Sequence, residues 1–169
     1  MLAEAGHPNG FDAGEIYCDA SYENLAEGIT NDFKAVGIQM KIRPLERAAF
    51  FSQLREKKLS HVIQIGSAAF GNAATRLEAF VVTGGTYVYG SYSDLDGLFQ
   101  EQASELDRKR REATLHRMQQ MVLDKAMYAP IWELAFLNGV GPRVQESGLG
   151  LISGHAYSAP YEDVALKIK

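Results

Sequence analysis

Apolar positions change their period along the chain, and each change marks an element. Residues 15–20 (Glu-Ile-Tyr-Cys-Asp-Ala) read as a short strand. Ser21 reads as the N-cap of a helix, because Leu25, Ile29, Phe33 and Val36 then recur at helical spacing and Gly37 closes the run. Ile38, Met40 and Ile42 alternate with Gln39, Lys41 and Arg43, which predicts a half-buried strand stopped at Pro44. Residues 45–57 resume the helical pattern through Ala49, Phe50 and Leu54. Val62-Ile63-Gln64-Ile65 is a short apolar run ending in Gly66, suited to a strand covered on both faces. This β-α-β-α-β order predicts parallel strands joined by right-handed crossovers. Open sheets of this kind bind ligands beyond the carboxyl ends of their strands. Those ends are Ala20-Ser21-Tyr22, Pro44-Leu45-Glu46 and Gly66 to Asn72.

The second half has a different pattern. Asn72 reads as the cap of a helix over 72–82, with Leu77, Phe80 and Val81 inward. Residues 83–93 form a glycine- and tyrosine-rich loop of flexible character, and residues 94–103 a short helix. Asp107 caps a long helix whose buried stripe is Leu115, Met118, Val122 and Ala126, ending before Pro130. Ile131 to Asn138 is apolar and strand-like, with Trp132-Glu133 as core packing at its start. The remainder is rich in Gly, Ser and Pro, with weak packing signals of its own. At the other end, Leu2 to Gly6 reads as the last turn of a helix, with Gly6 as the left-handed terminator and Pro8 just beyond. Together these two features suggest a lobe taken out of a larger protein.

Composition narrows the function. The 169 residues, 46% hydrophobic, suffice for one domain's core. Seventeen Lys+Arg against 21 Asp+Glu leave a net charge of −4, which argues against a nucleic-acid partner. No run approaches the ~18 apolar residues of a membrane span, and the first residues lack the basic start and apolar stretch of a signal peptide. The single cysteine, Cys18, lies on a predicted strand and reads as a small core residue.

Candidate chemistry is sparse. Gly66-Ser-Ala-Ala-Phe-Gly71 lacks the Lys-Ser/Thr of a P-loop and the glycines of a dinucleotide fingerprint; it reads as a tight strand-to-helix turn or, from its position at the sheet edge, as a ligand-facing loop. No Gly-x-Ser-x-Gly elbow is present. His7, His61, His116 and His155 have no metal-like spacing. Arg108 to Arg111 reads as a solvated helix face with local ion pairs. Tyr87, Tyr89 and Tyr92 either pack as a local cluster or meet a ligand. With no catalytic pair or triad, no metal and no cofactor expected, the chain reads as a binding module rather than an enzyme. An autonomous hydrolase-like α/β enzyme and a dimerising regulatory domain are the alternatives. The expected ligand contacts are Ser67, Ala68, Phe70, Asn72, Tyr87, Tyr89, Ser21 and Tyr22, from their placement at strand ends and in the loop.

Ala3-Glu4-Ala5-Gly6-His7-Pro8-Asn9-Gly10-Phe11 resembles a signature of the family 5 extracytoplasmic solute-binding proteins, which serve oligopeptide and dipeptide ABC transporters. The resemblance continues through Leu25 to Ile38, Leu95-Asp96-Gly97-Leu98-Phe99, Asp107 to Gln120 and Ala129-Pro130-Ile131-Trp132. It implies an open, largely parallel α/β sheet with flanking helices, like the large C-terminal lobe of a type II periplasmic binding protein. Residues 1–143 would be that lobe, and residues 144–169 an extension returning toward a second lobe. The implied parent lies outside the cytoplasmic membrane, closes on a solute and delivers it to a permease. An excised lobe would expose apolar surface through which it can self-associate. One departure stands out. Peptide-binding members carry a Trp-x-x-Asp-like motif whose aspartate holds the peptide's amino group, and Ile65 to Asn72 has neither residue. The resemblance therefore leaves a peptide, a sugar, an opine-like compound or another small solute open.

Overall fold

Strand β1 (Phe11–Asp19) runs between two parallel neighbours, β2 (Ile38–Leu45) and β3 (Val62–Ile63), in the order β2-β1-β3. These elements come from a computed structural model that describes residues 1–67, 72–133, 137–152 and 159–167. The chain divides into two units, Met1–Ser67 and Ala68–Lys169.

In the first unit, helix α1 (Glu23–Ala35) links β1 to β2, and helix α2 (Arg47–Arg55) links β2 to β3. The two crossovers run in opposite directions across the sheet, so right-handed connections put α1 and α2 on opposite faces. Ala26, Ile29 and Phe33 of α1 pack against Ile16 and Cys18 of β1, Met40 and Ile42 of β2, and Val62. Phe50 and Leu54 of α2 are buried as well. The predicted parallel β-α-β-α-β order is what the structure has.

Local boundaries differ from expectation for identifiable reasons. β1 starts four residues early because Gly10 turns the chain into the sheet, with φ of +78°. Phe11 N donates to Gly37 O at 3.0 Å, and a Cβ on Gly10 would sit 1.9 Å from that same oxygen. Gly10 is thus required both by its left-handed backbone and by this close approach. The preceding residues close as a helix end does. His7 N donates to Leu2 O and Gly6 N to Ala3 O, with Gly6 at φ +87°. Ser21 is not the helix cap. Asp19 accepts from Ser21 N, residues Ala20–Tyr22 form a 3-10 turn, and α1 begins only at Glu23. Pro44 does not stop β2, which continues to Leu45 with Pro44 opposite Cys18. β2 is an outer strand of this three-stranded sheet, where a missing N–H is tolerated. β3 is shorter than expected and half-buried, although Gln64 N still donates to Tyr17 O.

The second unit is built on helices α3 (Ala73–Phe80), α4 (Ser93–Ser104) and α5 (Arg108–Asp124). Its buried residues include Leu77, Phe80, Val81, Leu95, Leu98 and Met118. Asn72 and Asp107 cap α3 and α5 through their side chains, as expected. On α5 the buried positions are Thr114 and Met118; Leu115 and Val122 are half-buried. Ala126 is exposed, because the helix has ended and Ala126 has φ of +48°. The strand expected over Ile131 to Asn138 is absent among the described residues, Leu134 to Phe136 lying outside them. Trp132 is 46% exposed and Leu137 93%, so the expected core packing of Trp132 is also absent. An apolar run gains little from extension without a strand to pair with. The tail does carry structure, an antiparallel pair of β4 (Val144–Glu146) and β5 (Ala165–Leu166).

On the face of β1 opposite Ile16 and Cys18, Glu15 accepts from the Tyr17 hydroxyl and from Arg43 Nε. The Tyr17 hydroxyl, then the Arg43 guanidinium, hold the Glu15 carboxyl below the usual glutamate value of 4.5. Two outcomes are expected. Gly10→Ala should lower stability by about 2 kcal/mol or more, measured as a fall in the urea midpoint. Because the folded-state value of Glu15 is depressed, its stabilising effect is present above the unfolded value and lost as pH falls through the folded one. A carboxyl NMR titration should therefore place Glu15 below ordinary glutamates, and Tyr17→Phe should move it upward; no movement would remove the hydroxyl as the cause.

Candidate functional site

The order β2-β1-β3 creates a reversal at the carboxyl ends of β1 and β3. The chain leaves β1 toward β2, then returns past β1 to reach β3. Open α/β sheets hold ligands at such reversals. The residues there within the first unit are Asp19 to Tyr22 after β1 and Gly66-Ser67 after β3.

Asp19 ends β1 and is 4% exposed. One carboxylate oxygen accepts from Ser21 N at 3.0 Å, and the other accepts from Arg47 Nη1 at 2.9 Å. Arg47 is the first residue of α2, and its side chain is 59% exposed. Its guanidinium lies 5.6 Å over the centre of the Phe51 ring, one turn further on. Glu46, the cap of α2, accepts from Ala48 N and Ala49 N. A cation is unfavourable at a helix N-terminus, and the two carboxylates offset it. A buried carboxylate in turn needs a partner, which Arg47 and the Ser21 amide supply. Beside this pair, Ser21 is exposed and Tyr22 half-buried, and Ser67 is exposed past β3. Ala68 and Phe70 lie outside the described residues.

The other expected contacts belong to the second unit. The Asn72 side-chain oxygen accepts from Ala74 N at 3.1 Å and from Arg111 Nη2 at 3.3 Å. The Tyr87 ring packs on Phe80, with centroids 4.9 Å apart. Tyr89 is 45% exposed. The loop between α3 and α4 is tied down rather than loose. Asp96 accepts from both the backbone N and the hydroxyl of Thr83, and Tyr87 N donates to Ala79 O. Lys125 lies over the Tyr92 ring at 4.2 Å while paired with Asp94 at 3.0 Å. Arg111 donates to the neutral amides of Gln102 and Asn72, and among the described residues the basic run forms none of the expected ion pairs.

Cys18 is fully buried, and loss of solvation pushes its thiol up, against a nucleophilic role. Among the described residues no group of three or more His, Cys, Asp or Glu side chains could hold a metal ion. No helix among them is long and apolar enough to cross a membrane. The residues missed by pattern reading are Asp19 and Arg47. Their signal was an arginine in the first helical turn, where the helix dipole disfavours it.

No family model and no curated protein matches the chain. Solved structures do. The periplasmic binding protein DppA of Helicobacter pylori, associated with an ABC transporter and bound to the peptide STSA, is 22% identical with a TM-score of 0.66. The match covers 76% of this chain and 27% of that one. The binding protein AgaA of A. tumefaciens R10, in complex with agropinic acid, is 20% identical over 73% of this chain and 26% of its own, with a TM-score of 0.63. MoaA of the same source, in complex with mannopinic acid, is 26% identical over 72% and 26%, with a TM-score of 0.57. The fold is that of a lobe of these periplasmic binding proteins, as the sequence resemblance implied. The chain spans about a quarter of the length of the structures it matches.

Because Arg47 stays partly in water, losing its partner should cost less than breaking a fully buried pair. Asp19→Ala should lower the unfolding free energy by about 1–3 kcal/mol in urea titration, through the unpaired Ser21 amide and the freed Arg47. An unchanged midpoint would show that the pair carries no structural weight.

Proposed function

We propose that this chain is a ligand-binding lobe of a transport solute-binding protein, one of the two lobes that close on a small solute and present it to an ABC permease outside the cytoplasmic membrane. The observation that carries this reading is the polar edge at the carboxyl ends of β1 and β3, in a lobe whose fold matches periplasmic binding proteins. Within the first unit, Ser21, Tyr22 and Ser67 are the ligand contacts. In the second unit, Asn72, Tyr87 and Tyr89 are assigned the same role on their exposed or loop positions. Ala68 and Phe70 complete the set.

The solute is a peptide or another small polar compound. DppA is bound to a peptide, AgaA to agropinic acid and MoaA to mannopinic acid, which supports that range. The reading is non-enzymatic, supported by the burial of Cys18 and by the lack of any acid–base cluster in the sequence. One lobe offers part of the contacts of a closed pair, so affinity for the chain alone should be weak, about millimolar.

The test is an NMR titration of the labelled chain with short peptides, sugars and opine-like acids. The expected result is saturable shifts at the amides of Ser21, Tyr22 and Ser67, reduced by Ser21→Ala and with no conversion of the solute. Tyr89→Ala reports separately on the loop of the second unit. Turnover of an ester panel that disappears in Ser67→Ala would overturn the reading in favour of a hydrolase.

A further inference from the structure

We propose that Arg47 is a carboxylate anchor, taking an anionic carboxylate of the solute, with Asp19 as the residue that positions it. This rests on the solute-binding reading above and names the ligand chemistry of the same site.

The argument begins with placement. Arg47 opens α2 at the carboxyl edge of the sheet, the edge where open α/β folds hold ligands. A cation in a first helical turn works against the helix dipole, and a neutral residue there would be better for the helix alone. A residue that breaks a local rule answers a demand from beyond its own helix, and here part of that demand is the buried Asp19 carboxylate, which occupies only one edge of the guanidinium. The side chain is also held in place. Nη1 contacts the buried Asp19 carboxylate at 2.9 Å, and the guanidinium lies over Phe51. A guanidinium fixed in this way offers a flat fork of N–H donors that matches a carboxylate two-on-two. With its side chain 59% exposed, much of that fork is within reach of a solute.

Two further points set the chemistry. The first amides of α2 are already taken by Glu46, so the helix end itself is not the anion site. The Arg47 charge is balanced by Asp19, so an incoming group gains from pre-oriented donors rather than from a broad positive field. That favours a carboxylate of defined geometry over general anion attraction. A peptide C-terminus and a sugar acid both present this group.

The test uses the full chain, labelled with nitrogen-15, and two matched pairs: trialanine with trialanine amide, and gluconate with glucose. The Arg47 Nε–H signal and the amides of residues 19–22 are followed. At least one acid should shift the Arg47 signal saturably and bind about tenfold or more tighter than its neutral counterpart. A response to trialanine identifies a peptide C-terminus, and a response to gluconate a sugar acid. Arg47→Gln should abolish the preference, and Arg47→Lys, which keeps the charge but loses the fork, should remove most of it. Unshifted Ile16 and Cys18 signals establish that each variant is folded, and Arg47→Lys serves alone should Arg47→Gln fail to fold. Equal affinity within both pairs, a preference that survives in the folded variants, or no shift of Arg47 with either acid would each overturn the anchor. In those cases, saturable shifts at Ser21, Tyr22 or Ser67 would leave the solute-binding reading standing, and their absence would remove it too.

Discussion

Strand β1 is hydrogen-bonded to a parallel neighbour on each side, and the first unit is arranged around that fact. A strand paired on both edges must present its side chains alternately to two covered faces. Ile16 and Cys18 meet the apolar face of α1, while Glu15, Tyr17 and Asp19 point the other way. Gly10 sets where the strand begins, by packing its backbone against Gly37 at the end of the first crossover. With both ends so placed, the Asp19 carboxylate has a fixed address at the sheet edge. The start of α2 is tied to that address through Arg47.

Most of this order could be read in the sequence. Period changes at Gly37 and around residue 45 separated helix from strand, and right-handed connection of parallel strands followed from the alternation. Side-chain caps at Asn72 and Asp107 were legible because both act within three residues. The misreadings share a cause. Ser21 has the chemistry of a cap, but Asp19, two residues earlier, accepts the Ser21 amide first and draws the chain into a 3-10 turn. Pro44 looks like a stop because its tolerance depends on β2 being an outer strand, a property of the assembled sheet. Trp132 and its neighbours have the composition of a strand, but composition does not supply a partner to pair with.

The same limit explains why the candidate site was only half visible. Ser21, Tyr22 and Ser67 follow from counting to the ends of strands, a local operation. Asp19 and Arg47 are 28 residues apart and meet only because β1 and β2 are parallel and in register, Asp19 opposite Leu45. Arg47 is set apart only by its place in a first helical turn, and Asp19 by nothing local. An aspartate at a strand end reads as a turn residue, and an arginine on a helix reads as solvated. Their meaning comes from burial of the carboxylate, which no single position announces.

That burial also divides labour between the two charges. Asp19 lies inside and is tied to the turn after β1, so it is bound up with the fold. Arg47 lies mostly outside, and its long stem follows the surface of α2 over Phe51. The pair thus couples a rigid member to a reachable one. An exposed arginine without such a partner would lose several side-chain torsions on meeting a ligand, an entropy cost of about 1.5–2 kcal/mol. Held by Asp19, part of that ordering is already done when the protein folds, so more of each new hydrogen bond is left for recognition.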